Sequence, residues 1–280
     1  MKIAKHISIL VLSLALSLQS YAWGGYEHTV IAYAAQFHLT ERAERNIRYY
    51  LDQPIYEYAE WMDYTPMQEY EEYRHIGKFG HMVAVGKNGE LPERSPLENG
   101  QAALYPCLKD VMYILENHRS MPDSLVVLNL RYIIHMIGDM HCPGHILYLE
   151  LPSDGALLPS CAWTKNRIWE KCWYKGSRQT IHWLWDTALQ HEHGDWNFQQ
   201  WKDYIDTWTD EEIELAVAGP VQRWIKESAD VCDSIFEYSF PERKYDESYY
   251  SGRALELSHL QIRRAIYRLA KVLNDCFDHE

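Results

Sequence analysis

The sequence predicts an all-α protein that forms a single domain. Apolar residues recur at helical spacing along much of the chain, for example at Leu130, Ile133 and Ile137, and this period indicates helices packed on a core. Helix-start signals accompany these segments, such as the capping box Thr209-x-x-Glu212. No repeat, low-complexity tract or linker divides the 280 residues, of which 47% are hydrophobic. That fraction is sufficient for one substantial core.

The first half of the chain is predicted to contain short helices and a loop. We expect the helices at Tyr26–Phe37, Glu41–Leu51 and Tyr56–Asp63. Thr40 can cap the second helix, because its hydroxyl is placed to accept an unpaired backbone N–H. Residues 77–92 contain four glycines and end at Pro92, and they are predicted to form a loop.

The second half is predicted to contain longer helices. Asp123 is a suitable N-cap for the central one, and residues 151–179 have no clear period and are predicted to form a surface loop with a small hairpin. The other predicted helices are Leu97–His118, Ile181–Gln190, one opened by the capping box and interrupted near Gly219-Pro220, and Leu255–Phe277.

The N-terminal residues 1–22 have the features of an export signal. Lys2 and Lys5 precede the apolar run Ile9–Leu18, and Ser20-Tyr21-Ala22 is a small-x-small cleavage site. The run is short for a bilayer span, so we favour a cleaved signal over the alternative of a membrane anchor. Cleavage would leave a mature domain of residues 23–280, in the periplasm or outside the cell, without an anchor.

Charge and cysteine content narrow the function further. The formal net charge is −13, which argues against a nucleic-acid binder that works through a Lys/Arg surface. An acidic protein can still bind phosphates if metal ions supply the positive charge.

Six cysteines in an exported chain permit disulfides, and Cys161 with Cys172 is the favoured pair. Their spacing does not indicate a thiolate zinc site.

The segment LRYIIHMIGDMHCPGH contains the strongest chemical signal. His135 and Asp139 stand one helical turn apart and therefore project from the same face. Pro143 and Gly144 break the helix, and we expect His145 to return to the same place. The adjacent His141 is expected to lie behind these residues or on the surface. Two imidazoles and a carboxylate in an apolar setting indicate a metal site.

A second pair, His182 and Asp186, repeats the HxxxD spacing. Imidazole nitrogen and carboxylate oxygen are both good zinc ligands. Considered singly, His28 could be an ordinary helix-face histidine, Asp63 an acid at a helix end and His81 a loop residue. The ordered set of these residues is more specific than any one of them.

That set runs W-G-x-x-x-H from Trp23 to His28, W-x-D ending at Asp63, a lone His81, HxxxDxxxxxH, and a final HxxxD. It resembles the trinuclear-zinc, single-strand-specific nucleases, the 3'-nucleotidase/nuclease family related to zinc-dependent phospholipase C. The resemblance spans nearly the whole mature chain and extends to Leu130-Arg131 and to the late run RLAKVLN.

The resemblance implies a multi-helix domain with three zinc ions in a cleft. One ion would be held by Asp63, His81, His135 and Asp139. A second would be held by the amine and carbonyl of Trp23, by His28 and by the bridging Asp139. The third would be held by His145, His182 and Asp186. In an uncleaved precursor the backbone nitrogen of Trp23 belongs to an amide and cannot bind zinc as a free amine. Cleavage during export would therefore be needed for activation.

The resemblance also implies the reaction and its partners. Asp63 and Asp139, the carboxylates of the bridged pair, are assigned as catalytic. The expected activity is hydrolysis of single-stranded RNA or DNA to 5'-nucleotides, with 3'-nucleotidase activity, by a monomer. Exposed aromatics could stack a base, and Tyr64, Trp163 and Trp173 are the candidates.

The sequence departs from the family pattern at three places. The Asp that usually follows the loop His is replaced here by Ala84, and a basic residue near the phosphate is replaced by Pro66. The segment that forms the nucleoside pocket survives only as Lys165-Asn166, so Asn166 is the substrate-binding candidate.

Two alternatives therefore stay open. A zinc-dependent phospholipase C would share the scaffold, although the closing HxxxD and the short Trp-to-His interval favour the nuclease. A non-catalytic, zinc-stabilised binding protein would retain the metals without turnover.

Overall fold

The computed structural model describes residues 24–64, 81–86, 89–97, 102–151, 153, 156–158, 171–174, 177–238 and 250–279. Several predicted features lie outside these ranges: the signal segment 1–22, Trp23, Pro66, Cys161, Trp163 and Asn166. The side chains of Tyr64, Cys172 and Trp173 lie outside the description as well. Among the described residues, no helix combines the length and apolar character needed to cross a bilayer.

The protein is all-α, as predicted. Helices α1 (Gly25–Ala35), α2 (Glu41–Tyr50) and α3 (Trp61–Tyr64) lie in the first part of the chain, with a 3₁₀ turn at Ile55–Tyr58. Thr40 caps α2 by accepting the N–H of Ala43, at 3.1 Å, which confirms the predicted cap.

The central layer is formed by long helices from distant parts of the sequence. Helix α4 (Leu104–Glu116) packs on α5 (Asp123–His141), and the last helix, here α11 (Leu255–Phe277), packs against α5, α4, α2 and α1. The apolar stripe of α5, which includes Leu130, Ile133 and Ile137, is completely buried. The other α-helices of the described residues are α6 (Ile181–Asp186), α7 (Ala188–His193), α8 (Phe198–Ile205), α9 (Asp210–Val217) and α10 (Val221–Tyr238).

Two helix starts differ from the prediction. Helix α4 begins at Leu104 and not at Leu97, because the N–H of Leu104 bonds to the carbonyl of Met82, at 3.0 Å, and Leu97 bridges to Leu158 instead. Asp123 is the first residue of α5, and Pro122 occupies the N-cap position. An acidic side chain in the first turn still interacts favourably with the helix dipole.

The loop predicted for residues 77–92 contains a strand. Strand β1 (Val83–Gly86) pairs in parallel with β2 (Ile146–Leu149), with Val83 opposite Ile146. Both strands are buried along their whole length, and short apolar runs of this kind do not reveal their secondary structure by periodicity.

The predicted hairpin is present. Strands β3 (Lys171–Tyr174) and β4 (Ser177–Thr180) pair in antiparallel fashion. The capping box of Thr209 and Glu212 opens α9, and the chain breaks before α10, as expected. The predicted helix 181–190 is divided between α6 and α7 at Thr187.

Candidate metal centre

Helix α5 supplies the centre of a buried polar cluster. His135 and Asp139 are both fully buried, with His135 Nε2 3.2 Å from Asp139 Oδ2. His135 Nδ1 donates to the carbonyl of Ala59, at 2.8 Å. This bond orients the ring so that Nε2 faces the cluster, which is the usual arrangement for a metal-binding histidine.

Helix α1 brings His28 onto the same group. Its ring stacks on that of His135 with centroids 3.9 Å apart, and its Nε2 lies 3.2 Å from Asp139 Oδ1. The approach depends on Gly138, because a Cβ there would lie 2.5 Å from His28 Nδ1. A larger residue at Gly138 would therefore displace the His28 ring from its place between Gly138, His135 and Asp139.

Asp63 and His81 complete this group on its more open side. His81 Nδ1 lies 2.9 Å from Asp139 Oδ2 and 3.8 Å from Asp63 Oδ1. Asp63 Oδ1 also lies 3.6 Å from His135 Nε2. The His81 side chain is 20% exposed, whereas those of His135 and Asp139 are not exposed at all. Among the described residues, the cluster is therefore most accessible to solvent at His81.

The parallel strands explain how His145 reaches the cluster. His81 precedes β1 and His145 precedes β2, and since the strands are parallel and in register, both residues lie at the same end of the pair. His145 Nδ1 donates to the carbonyl of His81. Its Nε2 lies 4.0 Å from Asp186 Oδ1.

Helix α6 adds His182 and Asp186, again one turn apart. Thr180 caps this helix by accepting the N–H of Trp183, at 3.0 Å. His182 Nδ1 lies 2.7 Å from Asp186 Oδ2, and the rings of His182 and His145 stack with centroids 5.1 Å apart. The two HxxxD segments, 47 positions apart in sequence, therefore meet in one cluster.

Several buried polar atoms of this cluster lack a hydrogen-bond partner within the described part of the chain. They are His28 Nδ1 and Nε2, Asp63 Oδ2, Asp139 Oδ1, His145 Nε2 and Asp186 Oδ2. Each unsatisfied buried group costs about 1–3 kcal/mol, so such a concentration requires another partner. Carboxylate oxygen and imidazole nitrogen together suit a divalent cation such as zinc. The residues present therefore fit metal binding.

Among the described residues, three sets of His, Asp and Cys side chains have ligand atoms close enough together to hold a metal ion. The sets are His28, His135 and Asp139; Asp63, His81 and His135; and Cys142, His145 and Asp186.

Protonation in this cluster is set by burial and by the central carboxylate. Burial, with the nearby His135, lowers the pKa of His28 to about 3, and burial lowers that of His182 to about 4. Burial opposes ionisation of Asp139, but His135, His145 and His81 hold its pKa well below the usual range. Burial would also lower the pKa of His135, but Asp139 and Asp63 raise it to about 9. Asp139 is thus an anion that attracts cations.

A model of the family described as S1/P1 Nuclease matches residues 23–278. The match includes all nine residues predicted as metal ligands.

The chain belongs to the S1/P1 nuclease family.

One relative in this family is Nuclease S1 of Aspergillus oryzae. It is 23% identical over 204 residues, which cover 71% of this chain and 65% of the relative. The chain thus matches just under two thirds of that protein's length.

For this S1/P1 family member, the structure brings together eight of the nine predicted ligands. They are His28, Asp63, His81, His135, Asp139, His145, His182 and Asp186. The ninth, Trp23, lies outside the described residues, but the N–H of Gly24, which follows it, bonds to the carbonyl of Asp186 at 2.5 Å. Metal ligation by these residues stays a prediction.

Two residues near the cluster were missed by the sequence analysis. Cys142 is buried, with Sγ 3.4 Å from Asp186 Oδ1. Glu27, also buried, accepts the N–H of Leu189 at 3.0 Å and so joins α1 to α7. The three-residue interval from Cys142 to His145 was a usable signal, whereas an acid in the first turn of a helix usually indicates only a dipole contact.

Ala84 lies in a small apolar cluster behind the strands. It is 1% exposed and packs with Met82, Leu97 and Leu147. The position where related nucleases carry an acid therefore has apolar surroundings in this family member.

Proposed function

We propose that this chain is an exported, zinc-dependent nuclease that cleaves single-stranded RNA or DNA to 5'-nucleotides and removes 3'-phosphates from nucleotides. The observation that carries the proposal is the buried set of His and Asp side chains, several of whose polar atoms, such as Asp139 Oδ1 and His145 Nε2, have no hydrogen-bond partner among the described residues. Membership of the S1/P1 nuclease family supports phosphodiester hydrolysis.

The side chains would hold zinc in the three sets implied by the family resemblance. Asp139 is the central ligand, because its two oxygens face different histidines: His28 near Oδ1, and His81 and His135 near Oδ2. Bound zinc would supply Lewis-acid charge for the phosphoryl oxygens of the substrate. Because the net charge is −13, this local positive charge is needed to attract a phosphodiester.

The protein residues would orient the reacting groups and control access. The bond from His135 to Ala59 fixes the ring at the centre of the site. Asp63 and His81 stand at the solvent-facing side, with side chains 5% and 20% exposed, so the phosphate would approach from there. The recessed position favours a flexible single strand over a rigid duplex.

Chelator-sensitive cleavage by the mature protein tests the proposal. Protein beginning at Trp23 and loaded with zinc is offered single-stranded DNA, RNA, a 3'-nucleotide and phosphatidylcholine, with and without chelator. We expect cleavage of the nucleic acids, no cleavage of the lipid, and loss of activity on chelation. The H135A variant is expected to be inactive, and a variant of an exposed histidine, H279A, serves as the control.

Other outcomes would select the alternatives. Cleavage of the lipid alone would identify a phospholipase C. Zinc binding without turnover on any substrate would identify a metal-stabilised binding protein, in agreement with the apolar surroundings of Ala84.

A further inference from the structure

Cys142 lies where α5 ends and the 3₁₀ turn carrying His145 begins. Its side chain is fully buried, and its Sγ lies 3.4 Å from Asp186 Oδ1. The ligand atoms of Cys142, His145 and Asp186 all lie within 4.8 Å of one another. The thiol therefore faces the same space as two of the predicted metal ligands.

A second observation at this place also indicates a bound cation. His145 Nε2 and Asp186 Oδ2 are buried and make no hydrogen bond among the described residues, and the atom 2.7 Å from Asp186 Oδ2 is Nδ1 of His182, another predicted ligand of the same metal. Both side chains are at most 2% exposed. Unsatisfied nitrogen and oxygen atoms next to a buried sulfur indicate one shared partner that the polypeptide does not supply.

We propose that Cys142 is a sulfur ligand of the metal ion bound by His145, His182 and Asp186. This inference rests on the proposed function, because it requires metal binding. Zinc bonds of about 2.3 Å to sulfur and about 2.0 Å to oxygen separate the two atoms by about 3.5 Å in a tetrahedral site. The distance of 3.4 Å between Cys142 Sγ and Asp186 Oδ1 agrees with that geometry.

The consequence concerns the coordination and role of this metal. A thiol that coordinates zinc gives up its proton to solvent. Four protein ligands correspond to the closed coordination of a structural zinc site, whereas a catalytic site keeps an open position. The metal held by Cys142 would then fasten α6 to the end of α5, and the substrate would meet the metals beside His81.

Cys232 provides a matched control. It is 1% exposed, and its Sγ donates to the carbonyl of Pro143, at 3.2 Å. It thus lies beside the same 3₁₀ turn but belongs to none of the three metal-binding sets among the described residues.

The test uses the mature full-length protein loaded with cobalt or zinc. With cobalt, we expect a thiolate-to-metal charge-transfer band in the near ultraviolet. With zinc, we expect X-ray absorption to show a sulfur shell at about 2.3 Å. Both signals should be lost in C142S and retained in C232S. The dissociation constant for one metal equivalent should rise at least about tenfold in C142S.

The outcomes separate this inference from the proposed function. Absence of metal binding by the wild-type chain would overturn both. Full metal loading without a sulfur shell, or a shell that persists in C142S, would overturn sulfur ligation alone.

A second measurement on the wild type covers the case in which C142S does not fold. Thiol alkylation in mild urea should label Cys142 faster after chelation, with the labelling of Cys232 unchanged. Equal labelling of Cys142 with and without metal would contradict the proposal.

Discussion

The end of helix α5 contacts two buried polar clusters, which differ in whether their polar atoms have hydrogen-bond partners in the protein. Asp139 faces the metal-binding cluster, where several nitrogen and oxygen atoms have no partner among the described residues. His141, only two positions later, faces a second cluster, in which its Nδ1 donates to the carbonyl of Ile137 and its Nε2 accepts from Arg268, at 2.7 and 2.9 Å. Both residues are fully buried.

The second cluster is completed by protein groups. Arg268 Nε donates to the carbonyl of Ala216 at 2.9 Å, and its Nη2 donates to Glu227. Gln261 donates to the carbonyl of His141 and to Ser228, at 2.8 and 3.0 Å. The guanidinium is the cation of this cluster, so no metal is needed. The partner of a buried histidine, and not its burial, therefore decides whether the imidazole can bind a metal.

Replacement of Asp139 by asparagine should have the largest effect, because it removes the charge at the centre of the metal cluster. We expect zinc affinity to fall at least about a hundredfold. Zinc should raise the Tm of the wild type, since it binds the folded state, and raise that of D139N by less, because the set of His145, His182 and Asp186 is retained. Thermal denaturation with and without zinc measures this, with the exposed Asp203→Asn as control. A D139N protein that zinc stabilises like the wild type would refute the assignment.

Replacement of Arg268 by methionine should affect the second cluster alone. It leaves His141 without its partner, whereas Glu227, whose side chain is 22% exposed, keeps Arg223. The cost should therefore lie below the figure of about 3–5 kcal/mol for breaking a fully buried ion pair. Urea denaturation should show this loss, while the zinc stoichiometry of folded protein stays unchanged. Arg264, whose Nε is 3.9 Å from Glu227, is the control, and R264M should cost less. Loss of zinc from folded R268M would show that the clusters are not independent.

An acid at Ala84 would lie among the apolar side chains of Met82, Leu97 and Leu147. A buried, unpaired carboxylate should lower the free energy of unfolding by about 3 kcal/mol, and activity should not rise. Denaturation at several pH values measures the effect, which should shrink in acid as the carboxyl group becomes neutral. A84N, of similar size, should show no such pH dependence. Increased activity of A84D would show instead that the family's acid functions at this position.

A smaller, pH-dependent effect is expected at Asp206. Burial opposes its ionisation, but His38 and Tyr267 hold its pKa below the usual range, with contacts of 2.9 and 2.7 Å. Because the pKa is lower in the folded state, the ionised carboxylate stabilises the fold at pH values above the unfolded-state pKa of about 3.9. This stabilisation is lost as the pH falls through the pKa of the folded state. D206N should therefore be less stable than the wild type at pH 7, with the difference disappearing in acid. A constant difference would exclude this linkage.

Local signals in the sequence were sufficient to predict much of the helical structure. The cap at Thr40, the capping box at Thr209 and the period of Leu255–Phe277 act over a few residues, so their helices are found where predicted. The strand β1 was missed because its pairing with β2 joins segments more than 60 residues apart. Such pairing depends on tertiary contacts and leaves no local period.

The candidate metal ligands were predictable because His and Asp are residue types that bind zinc, and their helical spacing can be read directly from the sequence. Their distances are set by α1 packing on α5 and by α6 packing on the 3₁₀ turn that follows α5. The packing of α11 on α5 gives His141 its different environment, because Arg268 and Gln261 belong to α11, and the position of α6 brings Asp186 to Cys142. Sequence specifies which donor atoms are available, whereas the fold determines which of them lack a protein partner, because that depends on residues far away along the chain.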